Sequence, residues 1–222
     1  MIKVCPSSNP SKESNLLSYV RELESMGVEY LHCDVMDGKF VHNSCLRDLQ
    51  VLKNISNNSN ILFDIHLMVE DCYQEVVKYS QLRPVIITFH YESPKNIREI
   101  IKICKYLRSK QILVGMSIKP QTPVKMLEPF LNYLDLILIM SVEPGKSGQK
   151  FIESSIDKIK EARELIADRK IIIQVDGGIN EFNYKDIISA GAEFLVVGSA
   201  LYNSNNRQQL LAMIDKHYRT QK

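Results

Sequence analysis

The 222-residue chain carries no surplus charge of either sign: 28 basic residues stand against 26 acidic ones, a net of +2. That balance leaves no electrostatic footprint for nucleic acid or an anionic membrane surface. No apolar run approaches the length that spans a bilayer. The first residues, Met1 to Ser7, lack the charged-then-apolar layout of a secretion signal. Cysteine is sparse: the five, at 5, 33, 45, 72 and 104, are odd in number, widely spaced and without a CxxC. They read as reduced thiols of a cytoplasmic protein rather than a disulfide framework. Two phosphate-binding signatures are also missing. No glycine-rich fingerprint follows the first strand, which counts against an open doubly wound sheet, and the GxxxxGK[ST] spacing of a P-loop is absent. Charged residues at 24% and hydrophobic ones at 45% argue against extensive disorder.

What is present is alternation. Short β-rich runs at 2–5, 31–38, 61–68, 85–91, 112–118, 135–142, 171–176 and 194–197 are each followed by an amphipathic stretch, predicting helices over 12–26, 45–55, 72–82, 95–108, 124–133, 154–168, 184–190 and 207–218. Ser11 is the expected cap of the first helix and Gly27 its stop. A polar connection is expected at 38–44 and an Asn/Ser-rich turn at 56–60. Eight strand–helix units with no compositional break predict an α/β protein, a single (β/α)8 TIM barrel over residues 1–222.

Two strands break the rule that a core face is apolar. Side chains alternate along a strand, so His32, Asp34 and Met36 share one face, and Asp64, His66 and Met68 repeat the pattern. A buried carboxylate without a partner is costly, so either hydrogen-bonded core pairs or a metal ion must compensate. In such barrels the site lies at the carboxyl ends of the strands. Those ends hold Ser7, His32, Asp34, Met36, His66, Met68, His90, Met140, Asp176, Gly198 and Ser199. Two histidines and two carboxylates converging on one mouth match the donor set of a divalent cation, with Zn2+, Mn2+, Fe2+ and Co2+ all suited. The methionines Met36, Met68 and Met140, taken singly, read as packing. Gly177 and Gly178 after the seventh strand, with Gly198 and Ser199 after the eighth, lie where barrels bind phosphate. Gly145, Lys146, Ser147 and Gly148 could fold over the same group, Lys146 adding charge. A metal, two carboxylates and a phosphate anchor point to proton abstraction beside a carbonyl, one carboxylate removing a proton and the other returning one.

In these residues the chain resembles the ribulose-phosphate 3-epimerase family over nearly its whole length. The likeness rests on the motifs from His32 to Gly38, Asp64 to Met68, Met140 to Gly145, Gly148 to Phe151, Val175 to Gly178, and Gly198 to Ala200, in family order. The resemblance implies a (β/α)8 barrel that interconverts D-ribulose 5-phosphate and D-xylulose 5-phosphate in the pentose phosphate pathway. It implies His32, Asp34, His66 and Asp176 as metal ligands and Asp34 and Asp176 as the acid/base pair. It further implies Ser7 and His66 at the substrate, Met36, Met68 and Met140 as sulfurs around an enediolate, and Gly178, Gly198 and Ser199 at the phosphate. It also implies a dimer or hexamer.

The chain departs from the family at the rim. Gly145-Lys-Ser-Gly148 replaces the usual Gly-Phe-Gly-Gly, Val41-His-Asn43 replaces Val-Pro-Asn, Lys119-Pro120 replaces Asn-Pro, and the stretch from Ser8 to Ser11 lacks the usual apolar-rich form. The sugar phosphate is therefore the open point, with allulose 6-phosphate as the alternative substrate. A non-catalytic sugar-phosphate-binding barrel is a second alternative. A decarboxylase on the same barrel is disfavoured because Asp64-Ile-His-Leu-Met68 has no Lys at the Asp-x-Lys-x-x-Asp spacing.

Overall fold

The computed structural model describes residues 3–45 and 49–219. Eight parallel strands form the wall: β1 (Lys3–Pro6), β2 (Tyr30–Asp37), β4 (Leu62–Met68), β5 (Ile86–His90), β6 (Leu113–Ile118), β7 (Leu136–Met140), β8 (Ile172–Asp176) and β9 (Phe194–Val197). They hydrogen-bond in the order β1-β9-β8-β7-β6-β5-β4-β2. A parallel bridge between Ser7 and His32, with the Ser8 N–H donating to the His32 carbonyl at 2.8 Å, joins the first strand to the second. The sheet is thus closed into the expected (β/α)8 barrel.

The alternation along each strand has a simple outcome. Leu31, Cys33 and Val35, Phe63, Ile65 and Leu67, and their counterparts on the other strands join the main core between sheet and helices. The opposite faces point into the barrel, where a smaller apolar cluster including Cys5, Leu136, Leu138, Phe194 and Val196 fills the space. The polar face of β2 and β4 is therefore an inward face. Helices α1 (Glu13–Ser25), α2 (Leu49–Asn58), α3 (Cys72–Tyr79), α4 (Ile97–Ser109), α5 (Ser155–Ile166), α6 (Tyr184–Ser189), α7 (Ser199–Tyr202) and α8 (Arg207–Arg219) cover the outside. None of the described helices is long and apolar enough to cross a membrane, and no disulfide joins the five cysteines, all of which are among the described residues.

Several local expectations are corrected. Ser11 does not cap α1: Lys12 holds the N-cap position without a side-chain bond, and the Ser11 hydroxyl donates to the Lys12 carbonyl. The polar connection at 38–44 is a hairpin ending in a short strand, β3 (Ser44–Cys45), which pairs antiparallel with Met36 and Asp37. Its turn is set by Asp37, whose Oδ1 accepts from the N–H groups of Lys39 and Phe40 at 2.8 and 2.9 Å, and by Gly38 at φ +75°. Cys45 is consequently strand, not helix; residues 46–48, where the helix was also expected, lie outside the described residues. Helix α2 runs on through the expected turn to Asn58, whose side chain donates to the Asn54 carbonyl at 2.8 Å. The segment Val124–Tyr133 is a run of 3-10 turns, because Pro129 inside it has no N–H to continue an α-helix. The turn α7 was not expected.

Gly115 shows how tightly the interior is filled. A Cβ there would lie 2.9 Å from Thr88 Cβ and 3.0 Å from Thr88 Cα. Gly115→Ala is therefore expected to lower stability by about 1–3 kcal/mol, measured by urea unfolding. Thr88→Ala in the same chain should restore part of the loss, since the Thr88 hydroxyl has no hydrogen-bond partner among the described residues. Wild-type stability in Gly115→Ala would show that the strands separate freely at this point.

Candidate active site

The mouth is assembled from β2, β4 and β8. His32 and Asp34 project from β2, His66 from β4 in register with Asp34, and Asp176 from the end of β8. One ligand atom from each of the four lies within 4.8 Å of every other. Asp34 Oδ1 is 3.1 Å from His32 Nε2 and 2.9 Å from His66 Nδ1; Asp176 Oδ2 is 3.8 and 3.9 Å from the same two nitrogens. Two imidazole nitrogens and two carboxylate oxygens in this space suit a divalent cation of the borderline type.

Charge in this space is strongly polarised. Burial opposes charge on His32, but the neighbouring Asp34 and Asp64 outweigh it and hold its pKa well above the ordinary value. Burial likewise opposes ionisation of Asp34, yet His32 and His66 hold its carboxyl far below the usual range. Asp176 goes the other way: burial, followed by the negative charge of Asp34, pushes it up to about 6. Two carboxyls of one site are thus driven apart, as in acid/base pairs.

Neighbours hold these groups in place. The Nδ1 edge of His32 meets Asp64 Oδ2 at 2.7 Å, and the Gln174 amide donates to the same oxygen at 2.6 Å. A carboxylate only accepts, so His32 Nδ1 carries the proton and Nε2 faces the cluster. Cys5 also approaches Asp64 at 3.8 Å, but burial and the Asp64 charge push its thiol pKa well up, so it acts as a donor. His66 turns its other nitrogen to His90, 3.0 Å away. Burial lowers the His90 pKa to about 4. Asn9 donates to Asp34 Oδ2 at 2.6 Å, and its own N–H donates to Ser7 Oγ at 3.1 Å.

Above the cluster opens a cavity of about 740 Å³. Its wall includes Ser7, Asp34, Met36, Met68, Met140 and Asp176, together with Gly145, Lys146, Ser147, Gly148, Gly177, Gly178, Gly198 and Ser199. His32 and His66 are fully buried beneath it and do not line it. The His66 ring sits between Asp34, whose Oδ1 is 2.9 Å from its Nδ1, and His90, whose Nε2 is 3.0 Å from its Nε2. The methionines are buried packing residues as well as cavity wall, Met36 and Met68 clustering with Val41. Gly177 and Gly178 need no ligand to explain them. Their φ values are +121° and +68°, and a Cβ would lie 2.8 Å from Val142 Cγ1 in the first and 2.8 Å from the Phe151 Cα in the second. The loop carrying Lys146 is braced by Gln149, which donates to the carbonyls of Glu143 and Lys146, and by Asn43, which donates to the Gly145 carbonyl.

Asn9, Asp64, Gln174 and Glu92 were not singled out as site residues from the sequence. Alternation alone puts Gln174 on the face of Asp176 and Asp64 on that of His66, so a signal existed for those two. Asn9 had only its place in a polar stretch where apolar residues are usual.

A (β/α)8 barrel with a His/Asp cluster under a polar cavity at the carboxyl ends of its strands defines a class of barrel enzymes. The model of the ribulose-phosphate 3 epimerase family matches residues 3–202. Ribulose-phosphate 3-epimerase of Bacillus subtilis is 34% identical, covering 96% of this chain and 98% of its own; that of Buchnera aphidicola subsp. Baizongia pistaciae is 40% identical over 81% and 79%. Among solved structures, 3-hexulose-6-phosphate synthase from Salmonella typhimurium superposes with a TM-score of 0.73 at 14% identity over 100% of both chains, a likeness of fold. The chain belongs to the ribulose-phosphate 3-epimerase family and is an epimerase of that family.

The donor set makes a direct prediction about stability. A divalent ion at about 100 times its Kd adds about 2.7 kcal/mol, which for a chain of this size corresponds to a rise of roughly 5–10 °C in Tm. Zn2+ or Mn2+ titrated into chelator-treated protein should produce that rise, and Asp34→Asn/Asp176→Asn should abolish it. An equal rise in the double variant would place the ion elsewhere.

Proposed function

We propose that the chain interconverts D-ribulose 5-phosphate and D-xylulose 5-phosphate by proton transfer at C3. The observation that carries this reading is the placement of two carboxyls, Asp34 and Asp176, beside two imidazoles at the floor of one cavity. The carboxyls come from strands separated in the closed sheet by β1 and β9, so they reach the floor from two walls. A planar enediolate lying between them meets one carboxyl on each face. Removal of the C3 proton by one and its return by the other inverts the stereocentre.

His32, Asp34, His66 and Asp176 would hold the divalent cation, which when bound polarises the carbonyl and the adjacent hydroxyl and stabilises the charge that develops there. Met36, Met68 and Met140 form a polarizable, water-poor wall beside the reacting carbons. The phosphate end belongs with the segments after β8 and β9, Gly177, Gly178, Gly198 and Ser199, which lie side by side because those strands pair. Lys146 reaches the same cavity from the braced loop after β7 and adds the positive charge that backbone groups alone lack. Allulose 6-phosphate remains the second reading, favoured by the altered rim: Asn9 against Asp34 and the glycine-poor Gly145-to-Gly148 loop both change what a sugar hydroxyl meets.

Turnover of D-ribulose 5-phosphate, with and without chelation and metal add-back, tests the reading. Metal-dependent formation of xylulose 5-phosphate, with C3 hydrogen exchanged into solvent, is the expected result; exchange on allulose 6-phosphate alone would transfer the activity to the hexulose. Asp176→Asn should lower kcat by about a thousandfold or more, at the level of losing an essential acid/base group, with an unchanged circular dichroism spectrum. Near-normal turnover in that variant would rule out a two-carboxylate mechanism. Lys146→Ala should raise KM more than it lowers kcat, and an unchanged KM would remove Lys146 from the phosphate site.

A further inference from the structure

Of the two imidazoles at the cluster, only His66 has no carboxylate on its far nitrogen. Its Nε2 lies 3.0 Å from His90 Nε2, and the two rings stack with centroids 5.0 Å apart and planes inclined by 28°. Both rings are fully buried. Two imidazole nitrogens at this distance share one proton, so one donates and the other accepts.

The far side of His90 decides which. His90 Nδ1 faces Glu92 Oε2 at 3.3 Å. The other oxygen of Glu92 is occupied by two donors, the Lys119 N–H at 2.9 Å and the Thr122 hydroxyl. The segment bearing those donors is itself pinned, since Lys158 Nζ donates to the carbonyls of Lys119, Pro120 and Thr122 at 2.7 to 3.0 Å. Glu92 is therefore a fixed acceptor. It requires the proton of a neutral His90 on Nδ1, which leaves Nε2 of that ring as a lone pair. Phe40 packs on His90 with centroids 4.9 Å apart, and Lys119 Nζ sits 4.0 Å from the Phe40 ring on its own account. That cover keeps water away from the buried His90 ring, and Glu92 is the carboxylate that faces it.

We propose that His90 and Glu92 are positioning residues that fix the tautomer of His66. With a cation at the cluster, they keep the His66 proton on Nε2 and leave Nδ1, which lies 2.9 Å from Asp34 Oδ1, free to face that cation. The relay runs from Glu92 through His90 to His66, and it does for His66 what Asp64 does directly for His32. This inference rests on the reading of the four-residue cluster as a cation site. Outer groups that orient a ligating histidine commonly alter metal affinity strongly when changed.

The test is Zn2+ affinity, measured by chelator competition, together with the nitrogen-15 spectrum of the histidine rings in the zinc-loaded protein. Glu92→Gln keeps the shape but offers an amide N–H to His90 Nδ1, which pushes the His90 proton onto Nε2 against His66. It should weaken Zn2+ binding by about 10–100-fold, and His90 should change from the Nδ1–H to the Nε2–H form. Thr122→Val leaves every histidine in place and loosens only one donor to Glu92, so its loss should be smaller, about threefold to tenfold on the same scale. This gentler variant also decides the matter should Glu92→Gln fold poorly. Wild-type His90 found in the Nε2–H form, or Zn2+ affinity unchanged in both variants, would overturn the proposal while leaving the cation site standing. A wild-type protein that binds no Zn2+ would overturn the cation reading, and this inference with it.

Discussion

Two carboxyls and two imidazoles held within 4.8 Å of one another inside a barrel are the constraint on which the rest of this structure depends. Removing such groups from water costs several kcal/mol per ion, and attraction between them repays that only when every remaining lone pair and proton is satisfied. The molecule answers this demand by extending the polar network outward in steps, although Asn9 Oδ1, Asp64 Oδ1 and Gln174 Oε1 have no hydrogen-bond partner among the described residues. His32 is backed by Asp64, and Asp64 by Gln174 and Cys5. His66 is backed by His90, and His90 by Glu92. The apolar inward cluster of Leu136, Leu138, Phe194 and Val196 fills the rest of the interior and confines the polar groups to one side.

The loops over the mouth answer to the same network. Asp37 faces away from the cluster, yet it organises the approach to it: its two oxygens accept from Lys39 and Phe40 in its own turn and from the Glu70 N–H after β4. Burial pushes its pKa up, but the backbone N–H groups together outweigh that and hold it below the ordinary value. Those bonds tie together the loops that follow β2 and β4, the two strands that carry the imidazoles. Phe40, set by that turn, then covers His90. On the other side the Ser141 hydroxyl donates to the carbonyls of Asp176 and Gly177, linking the end of β7 to the carboxyl-bearing end of β8. The geometry of the cluster is thus clamped from outside as well as from below.

What could be read from the sequence follows from range. The barrel was legible because eight repeats of strand and helix periodicity are local patterns, and because closure leaves few alternatives. The convergence of His32, Asp34, His66 and Asp176 was legible because strand alternation and the rule for barrel mouths together turn sequence position into a face and an end. What stayed hidden was set by single side chains. The Asp37-Gly38 pair is a hairpin signal, but the partner strand is only Ser44–Cys45, too short for any pattern. Pro129 marked the change from α to 3-10 turns, yet the apolar spacing around it looked helical. Asn9 acts through a hydrogen bond to a residue 25 positions away, and nothing in periodicity reports a bond made across a closed sheet; Glu92 lies past the end of β5, where strand alternation no longer assigns a face.

The division between floor and rim bears on how such a site can vary. The floor residues are locked by backbone register and by one another, so a change at any of them leaves a buried charge or donor unpaired, a loss of several kcal/mol. The rim obeys a looser rule. Gly145 must stay glycine, since its φ is +102° and a Cβ would sit 2.7 Å from Val41 Cβ, but Lys146 and Ser147 beside it are exposed and carry no such restriction. The departures from the family pattern that touch the cavity fall on that permissive ring: Asn9 at one edge, Lys146 and Ser147 at the other. The exposed pair Lys146 and Ser147 can therefore vary without touching the four-residue cluster, whereas Asn9, bonded to Asp34 Oδ2 at 2.6 Å, cannot.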